Sequence, residues 1–290
     1  MAGPFPTCHL DGRFLPLAEA RISPLDRGFL FADGVYEVVP VHRGRPFLLR
    51  EHLRRLDASL AAIHLANPHG EREWHAIVRE LVSAAGEREL LVYLQVTRGA
   101  EAGRNHLLPK EAHPTVFAFA SPYPVPDPAL LARGLRAVTL QDIRWDRCDI
   151  KSVALLANVL LRHEAALRGA DEALLVRNGL LLEGSSSSVF LCVGGTLVTP
   201  PNGHLILPGT TRDAVLSLAA GWLTTQVCEI GPREIGSCEE VWIASAGRGV
   251  LPVTTVDDLP VGSGVPGPLW QEMSARLRSH LDSIAAMPAL

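Results

Sequence analysis

The amino-acid sequence predicts an α+β protein of two domains, and three features lead to this prediction. Short apolar runs joined by glycine-rich turns are typical of antiparallel hairpins. Apolar residues at spacings of three and four predict amphipathic helices between these runs. Alternate prolines at 122–128 divide the chain, because proline continues neither a helix nor a central strand. We therefore predict a small N-terminal α+β domain at 1–120, a linker at 121–133 and a larger C-terminal α+β domain at 134–290.

The first half of the chain is predicted to form four strands and two helices. The strands are short runs of apolar, β-branched or aromatic residues bounded by polar turns. The helices show apolar stripes, for example Leu53, Leu56 and Leu60. The predicted strands lie at 38–41, 46–49, 90–96 and 115–120, and the predicted helices at 51–65 and 71–85.

Two hairpins are the clearest elements of the second half. The dipeptides Asn178-Gly179 and Gly194-Gly195 each join two apolar runs, and such dipeptides favour type I′ turns. A strand is predicted before the hairpins, and helices are predicted between and after them. The runs lie at 173–176 with 180–182 and at 189–193 with 196–198, the strand at 135–140, and the helices at 153–168, 211–221 and 268–286.

Composition and charge exclude several classes of protein. The 290 residues are 47% hydrophobic and 20% charged, as in ordinary globular proteins. The net charge is -4 and the sequence has no basic stripe, so a nucleic-acid partner is not expected. The five cysteines show no metal-ligand spacing, so we expect reduced thiols and no metal. The N-terminus lacks the features of a signal peptide, and no apolar run reaches spanning length. These features predict a cytoplasmic protein without a membrane segment.

Lys151 is the first candidate for chemistry. The sequence contains only two lysines, and Lys110 lies in a polar loop. Lys151 directly precedes an apolar helix, where partial burial would disfavour its ammonium form. A neutral amine attacks carbonyl groups and forms Schiff bases. Position alone favours a surface lysine at a helix start.

Two further segments contain groups suited to a phosphorylated heterocycle. Glu183 ends an apolar run and precedes four serines, so its carboxylate could pair with a protonated ring nitrogen. Gly209, Thr210 and Thr211 precede a predicted helix, and helix N-termini bind anions. Taken separately, the first segment could be an ordinary polar loop and the second an ordinary helix cap.

Together these segments resemble the fold-type IV, or class IV, pyridoxal-phosphate enzymes, and among them the D-amino-acid aminotransferases of bacteria. The resemblance covers almost the whole chain. It is carried by the Glu183 and Gly209 segments and by residues 26–37, 51–56, 95–99, 142–145 and 151–152.

The resemblance implies pyridoxal 5′-phosphate as cofactor and assigns residues to it. Lys151 would hold the cofactor as a Schiff base and carry the substrate proton. Glu183 would pair with the pyridine nitrogen, Leu207 would support the ring, and Glu37 would be an acid near the lysine. The cofactor-binding residues implied are Arg55, Lys151, Glu183, Ser187, Ser188, Leu207, Gly209, Thr210, Thr211, Ser245 and Ala246.

The same resemblance implies the substrate site. Arg104 and His106 match an Arg-x-His pair that, with Tyr36, binds the substrate α-carboxylate, and Val38 lies on the same strand as Tyr36. Arginine offers a planar fork of donors that matches a carboxylate. In the family this loop reaches in from the partner subunit, which implies a homodimer. A solvated loop tip is the alternative reading of these residues.

The chain departs from the family pattern at three places. Ser188 replaces a usual asparagine, and Thr210 replaces a usual isoleucine or valine. Ala246 and Gly247 lie where the family has hydroxyl-bearing residues, so they offer only backbone N–H groups to a phosphate. Arg248 follows them, either compensating for the missing hydroxyls or facing solvent.

The predicted reaction is transfer of the amino group of D-alanine or D-glutamate to 2-oxoglutarate or pyruvate. Branched-chain L-amino-acid aminotransferases and aminodeoxychorismate lyases share the cofactor residues and remain alternatives. A non-catalytic protein that retains the fold is a further alternative. A dinucleotide-binding oxidoreductase is disfavoured, since no G-x-G-x-x-G motif follows a predicted strand.

Overall fold

The computed structural model describes residues 3–286, which form two compact units. Each unit combines a β-sheet with helices, so the predicted α+β class is confirmed. None of the helices within residues 3–286 is long and apolar enough to cross a membrane. Within the described range, unit 1 comprises residues 3–124, 150–154 and 282–286, and unit 2 comprises residues 125–149 and 155–281.

Unit 1 is built around an antiparallel sheet. Its elements are β1 (Thr7–Leu10), β2 (Arg13–Pro16), α1 (Arg27–Phe31), β3 (Gly34–His42), β4 (Arg45–Pro46), α2 (Leu49–Ala62), α3 (Glu71–Ala85), β5 (Leu90–Thr97) and β6 (Thr115–Pro122). The six strands lie in the order β2-β1-β6-β5-β3-β4. Helices α2 and α3 bury their apolar stripes against this sheet, with Leu56, Leu60 and Trp74 almost fully buried.

Unit 2 is built around a mixed sheet. Its elements are α4 (Pro128–Arg133), β7 (Leu135–Gln141), α5 (Leu156–Leu167), β8 (Glu172–Arg177), β9 (Leu180–Gly184), β10 (Ser188–Val193), β11 (Thr196–Thr199), α6 (Thr210–Ala219), β12 (Thr224–Val227), β13 (Glu240–Ser245), β14 (Gly249–Val256), β15 (Leu259–Pro260) and α7 (Pro268–Ala286), the last of which passes into unit 1 at Asp282. The strand order is β12-β11-β10-β13-β14-β7-β8-β9, with β15 paired to β14. The β7–β8 pair is parallel, and α5 supplies the crossover that a parallel pair needs.

Both predicted hairpins of unit 2 are present with the predicted turn. The backbone φ angles are 54° at Asn178 and 76° at Gly179, and 54° at Gly194 and 72° at Gly195. Positive φ at both central residues defines the type I′ turn. The second hairpin, β10–β11, carries Ser188 at its start.

Several predicted elements differ from the structure. The predicted strand at 46–49 is wrong beyond Pro46, because β4 ends there and Leu49 begins α2. Helix α5 begins at Leu156 instead of residue 153, because the Val153 N–H donates to the Gly34 carbonyl oxygen and keeps the chain extended. Strand β6 continues through Pro122 instead of ending at residue 120. Pro122 lies beyond the stretch of β6 that pairs with β1, so no hydrogen bond to β1 requires its missing N–H. Pro128 then begins α4, where a missing N–H costs nothing.

The predicted domain boundaries stay a prediction. The contacts within the chain, however, assign one short segment, residues 150–154, to unit 1. Lys151 was assigned to the C-terminal domain, whereas residues 150–154 belong to unit 1. The reason is a set of backbone hydrogen bonds to β3, including one from the Tyr36 N–H to the Lys151 carbonyl oxygen at 2.9 Å.

Gly99 is required by the backbone at the end of β5. Its φ is +88°, and a Cβ there would overlap the His113 carbonyl oxygen. We expect Gly99→Ala to lower the free energy of unfolding by about 3 kcal/mol, measured by urea denaturation, because strain and overlap add. Gly103→Ala is the control, since nothing lies within 4 Å of its Cβ position. Equal stability of the two variants would contradict this account.

Candidate active site

The backbone of Lys151 is held from both sides within unit 1. Its N–H donates to the Ser59 hydroxyl at 3.2 Å, and its carbonyl oxygen accepts from the Tyr36 N–H at 2.9 Å. Two residues later, Val153 donates to the Gly34 carbonyl oxygen at 3.0 Å. The segment therefore runs beside the start of β3 as a short extended piece.

The side chain of Lys151 lies against an aromatic face. Lys151 is half-buried, and its Nζ is 4.3 Å from the centroid of the Tyr36 ring. Tyr36 stacks on Tyr93 with 5.6 Å between ring centroids, and the Tyr93 hydroxyl donates to Gln95. Burial raises the pKa of Tyr93, so this phenol stays neutral. The amine is thus positioned over a packed, uncharged ring pair.

Glu37 lies on the opposite face of β3 from Tyr36, because successive side chains of a strand alternate. Its fully buried carboxylate accepts from Arg55 through Nε at 2.7 Å and Nη2 at 2.8 Å, and from His52 Nδ1 at 2.7 Å. Burial alone raises the pKa of Glu37, but the charge and hydrogen bonds of Arg55 and the bond from His52 hold it at about 2. Glu37 is therefore ionised at neutral pH and fixes the guanidinium of Arg55.

A half-buried carboxylate, Asp33, anchors the loop that carries the predicted substrate residues. Asp33 accepts from Arg98 at 2.8 and 3.0 Å and from Arg27 at 2.8 Å. Partial burial opposes ionisation of Asp33, but hydrogen bonds from Arg98 and Arg27 hold its pKa below the usual value. Arg27 also donates to the carbonyl oxygens of Asn105 and Leu107, at 2.6 and 3.3 Å. One acid thus ties α1, the end of β5 and this loop together.

The predicted pair Arg104 and His106 lies around Phe31. The guanidinium of Arg104 is 5.0 Å from the Phe31 ring centroid, and the His106 ring is 5.1 Å from it. Both residues are exposed. Among the described residues, neither forms a hydrogen bond, ion pair or ring contact with Tyr36 of the same chain. The structure therefore brings these two side chains together but leaves Tyr36 apart from them.

In unit 2, Glu183 is the acceptor of a buried arginine. Arg144 pairs with Glu183 and also chelates Asp142, through Nε at 2.9 Å and Nη2 at 3.0 Å. The Leu207 N–H lies 3.3 Å from the Glu183 carboxylate. Burial raises the pKa of the Glu183 carboxyl, and Arg144 opposes that shift. A carboxylate in this position is stabilised by any further cationic N–H donor.

Three segments of unit 2 meet at the N-terminus of α6, and we call them the anion cradle: residues 185–188, 209–211 and 245–248. Ser188 pairs with Ala244 in the sheet, next to the β13–β14 turn. Gly209 abuts Ser188 so closely that a Cβ would lie 2.5 Å from the Ser188 hydroxyl. Helix α6 then begins with the buried Thr210 and Thr211. Its N–H groups and positive dipole end suit a phosphate.

The predicted site residues divide between the two units. Val38 lies on the same side of β3 as Tyr36 and pairs with Tyr93 in the sheet. The Ser187 hydroxyl donates to the buried Glu172. Unit 1 contains Tyr36, Glu37, Val38, Arg55, Arg104, His106 and Lys151, and unit 2 contains Glu183, Ser187, Ser188, Leu207, Gly209, Thr210, Thr211, Ser245 and Ala246.

The sequence analysis missed the buried partners of these residues. Arg144 holds Glu183, His52 holds Glu37, and Arg248 pairs with Glu172. The available signal was a charged residue within or beside an apolar run, since a buried charge requires a partner. That signal indicates a partner without identifying it, because the partners are distant in sequence.

Comparison with known proteins decides the family. The amino-transferase class IV family matches residues 34–256, which is more than half of the chain. The chain belongs to the class IV aminotransferases. This aminotransferase is 38% identical to the D-alanine aminotransferase of Bacillus licheniformis, over 95% of this chain and 97% of that protein. It is 34% identical to the D-alanine aminotransferase of Staphylococcus haemolyticus, over 94% and 97%.

Solved structures confirm the fold-type IV architecture of the aminotransferase. A branched-chain amino acid aminotransferase solved with pyridoxamine 5′-phosphate is 25% identical, with a TM-score of 0.89 over 96% of this chain and 94% of that one. A fold IV transaminase from Curtobacterium pusillum is 28% identical, with a TM-score of 0.79 over 97% and 99%. Class IV aminotransferases use pyridoxal 5′-phosphate, and so does this enzyme.

The residues of the aminotransferase fit this cofactor. Lys151 offers a half-buried amine on a fixed backbone, and Glu183 offers a buried carboxylate that a further N–H would stabilise. The anion cradle offers a helix N-terminus beside Gly209, where a Cβ would crowd Ser188. Amine, carboxylate and phosphate site are the three groups that this cofactor requires.

The low pKa of Glu37 makes stability depend on pH. Its folded pKa of about 2 lies below the ordinary value of 4.5, so its stabilisation is complete above pH 5 and is lost as pH falls towards 2. The shift corresponds to about 3 kcal/mol. We expect Glu37→Gln to be destabilised at pH 7, with a deficit that narrows between pH 5 and pH 3, measured by urea denaturation. The exposed Glu111→Gln is the control, and a deficit in Glu37→Gln that is independent of pH would refute the assignment.

Proposed function

We propose that this aminotransferase moves the amino group of D-amino acids, D-alanine and D-glutamate first, to 2-oxo acids such as 2-oxoglutarate and pyruvate. One observation carries the substrate class: Arg104 and His106 lie side by side around Phe31 on a loop anchored through Asp33. This pair is the carboxylate-binding feature that the D-amino-acid enzymes have. The relatives at 34–38% identity are D-alanine aminotransferases, which supports the same substrate.

Residues of unit 2 are proposed to hold the cofactor ring and phosphate. Glu183 pairs with the ring nitrogen, and Arg144 orients the Glu183 carboxylate. Leu207 supports the ring. The cradle residues Ser187, Ser188, Gly209, Thr210, Thr211, Ser245 and Ala246 bind the phosphate with backbone N–H groups and hydroxyls, and Arg55 of unit 1 adds its guanidinium.

Residues of unit 1 are proposed to move the proton. When bound, pyridoxal phosphate supplies an electron sink that stabilises negative charge at the substrate α-carbon. Lys151 would be the covalent attachment point, and its Nζ, once freed by the substrate amine, would take the proton from the substrate α-carbon and deliver it to the cofactor carbon C4′. The Tyr36 ring lies beneath Nζ, with 4.3 Å between Nζ and the ring centroid. Glu37 and Arg55 compensate each other on the opposite face of β3.

The active form is proposed to be a homodimer. Arg104 and His106 make no hydrogen bond, ion pair or ring contact with Tyr36 of their own chain, as expected if they serve the site of a second copy. Exposed apolar side chains support such a contact, since large unpaired apolar patches mark interfaces. They include Leu107 and Leu108 beside the pair, and Leu156, Val159, Leu160 and Leu167 along α5.

A branched-chain L-amino-acid aminotransferase is the second candidate, because solved structures of that activity share this fold. It makes no use of the Arg104/His106 pair, so substrate selectivity separates the two. If the enzyme transfers an amino group to a 2-oxo acid, an aminodeoxychorismate lyase of the same fold is excluded. The cytoplasmic location expected from the sequence stays a prediction.

The absorption spectrum of the holoenzyme tests the reaction. We expect D-alanine to convert the visible band of the wild type within seconds, whereas L-leucine leaves it unchanged. In Lys151→Ala the conversion slows by about 10⁴-fold or more, because the base and attachment point are lost. Lys110→Ala is the matched control and behaves as the wild type. Rapid conversion by L-leucine alone would sink the substrate assignment.

Subunit mixing tests the homodimer and the origin of Arg104. Lys151→Ala and Arg104→Ala are each expected to be inactive, but co-expression gives mixed dimers in which one site contains both native residues. Random pairing then restores about a quarter of the wild-type activity per site. No recovery would mean that Arg104 serves its own subunit.

A further inference from the structure

Glu172 is a fully buried carboxylate that the reaction does not use. It begins β8 and is 0% exposed. It accepts from the Ala173 N–H at 3.1 Å, from the Ser185 N–H at 3.2 Å and from the hydroxyls of Ser185 and Ser187. Its only ionic partner among residues 3–286 is the guanidinium of Arg248. A buried charge held in this way depends on that partner.

Arg248 joins two segments of the anion cradle. It ends the β13–β14 turn, where its N–H donates to the Ser245 carbonyl oxygen at 3.2 Å. Its Nη2 pairs with Glu172 and lies 3.4 Å from the Ser186 hydroxyl. One guanidinium therefore holds the 245–248 turn against the 185–188 loop. Arg248 is 26% exposed and Glu172 is 0% exposed, so the pair is poorly screened by water.

The chemistry of the two segments makes this contact important. The Ser185 and Ser187 hydroxyls point inward to Glu172, so the 185–188 loop has its orientation set by that carboxylate. Ala246 and Gly247 carry no hydroxyl, so their turn offers a phosphate only backbone N–H groups. Backbone donors act only if the turn is held in place, and a bare carboxylate beside a phosphate would repel it.

We propose that Arg248 is a positioning residue of the anion cradle. It neutralises the buried Glu172, whose uncompensated charge would repel a phosphate and disturb the 185–188 loop that hydrogen-bonds to it, and it does not itself bind the cofactor phosphate. The inference rests on the proposed phosphate role of the cradle and is independent of the amino-acid substrate.

Cofactor binding to apoenzyme tests this role without turnover. The dissociation constants of pyridoxal phosphate and of pyridoxal, which lacks the phosphate, are measured by absorbance titration. Arg248→Met is expected to bind pyridoxal phosphate about tenfold more weakly, about 1.4 kcal/mol, and pyridoxal within twofold of the wild type. The double variant Glu172→Gln/Arg248→Met restores charge balance and is expected within about threefold of the wild type for both ligands.

An exposed ion pair of unit 2 provides the control for the buried pair of Arg248 and Glu172. Arg136 forms an ion pair with Asp258, and both are exposed. Arg136→Met removes the same group from the surface, where ion pairs contribute little, and leaves both dissociation constants unchanged. Thermal unfolding of each apo variant reports folding separately. If Arg248→Met does not fold, Arg248→Lys and the double variant carry the test, and a tenfold loss in the double variant overturns the proposal.

The outcomes separate the proposal from its alternatives. If Arg248 bound the phosphate directly, the double variant would stay as weak as Arg248→Met, and the proposal would be wrong. Unchanged affinity in Arg248→Met would also overturn it. Thr211→Val tests the cradle itself: a loss there without a loss in Arg248→Met overturns only the role of Arg248. No loss in either variant overturns the cradle as well.

Discussion

The hydrogen bond from the Tyr36 N–H to the Lys151 carbonyl oxygen determines where the amine of Lys151 can be. Together with the bond from Lys151 to Ser59, it holds a five-residue segment on β3 although the chain on either side belongs to unit 2. The neighbouring bond from Val153 to Gly34 delays the start of α5, and Nζ of Lys151 lies over the Tyr36 ring. The position of the amine thus follows from backbone pairing, and its environment follows from which side chain of β3 it meets.

Buried or half-buried acids paired with arginine recur in the candidate site. Glu37 has Arg55, Asp33 has Arg27 and Arg98, Glu183 has Arg144, and Glu172 has Arg248. All of these pairs except Arg27–Asp33 join different segments of the chain, and guanidinium suits this because its fork satisfies a carboxylate in a fixed orientation. The chain contains only two lysines, so its cations are almost all arginines. The amine is thereby kept for chemistry, and the guanidinium groups hold the structure.

The sequence predicted much of the fold because most elements are locally encoded. Helices α3 and α7 and both type I′ hairpins were predicted where they occur, since their stripes and turn residues are contiguous. The β1–β2 hairpin and α1 were not predicted, and they are short elements. Helix α4 and the buried strands β13 and β14 were not predicted either. The start of α5 was misplaced, because a tertiary contact to Gly34 overrides the local helical pattern. Elements defined by distant partners are the ones that local patterns do not reveal.

The candidate site shows the same division. The residues at 151, 183 and 209–211 suggested their chemistry only in combination, and the family resemblance supplied their roles and those of Arg104 and His106. The partners Arg144 and Arg248 could not be assigned from the sequence, because pairing across 39 and 76 residues depends on the folded sheet. Arg248 in particular was compatible with either a ligand contact or solvent, and only its contact with Glu172 distinguishes these.

The fixed backbone of Lys151 also sets a time scale. With N–H and C=O both held, the amine moves by rotation about its side-chain bonds alone. Rotamer changes of side chains that are not locked in a core take picoseconds to nanoseconds, far faster than loop or domain motion. In the proposed reaction, the Lys151 amine would therefore move without waiting for the polypeptide backbone to rearrange, so its rotation would not be the slow event of a catalytic cycle.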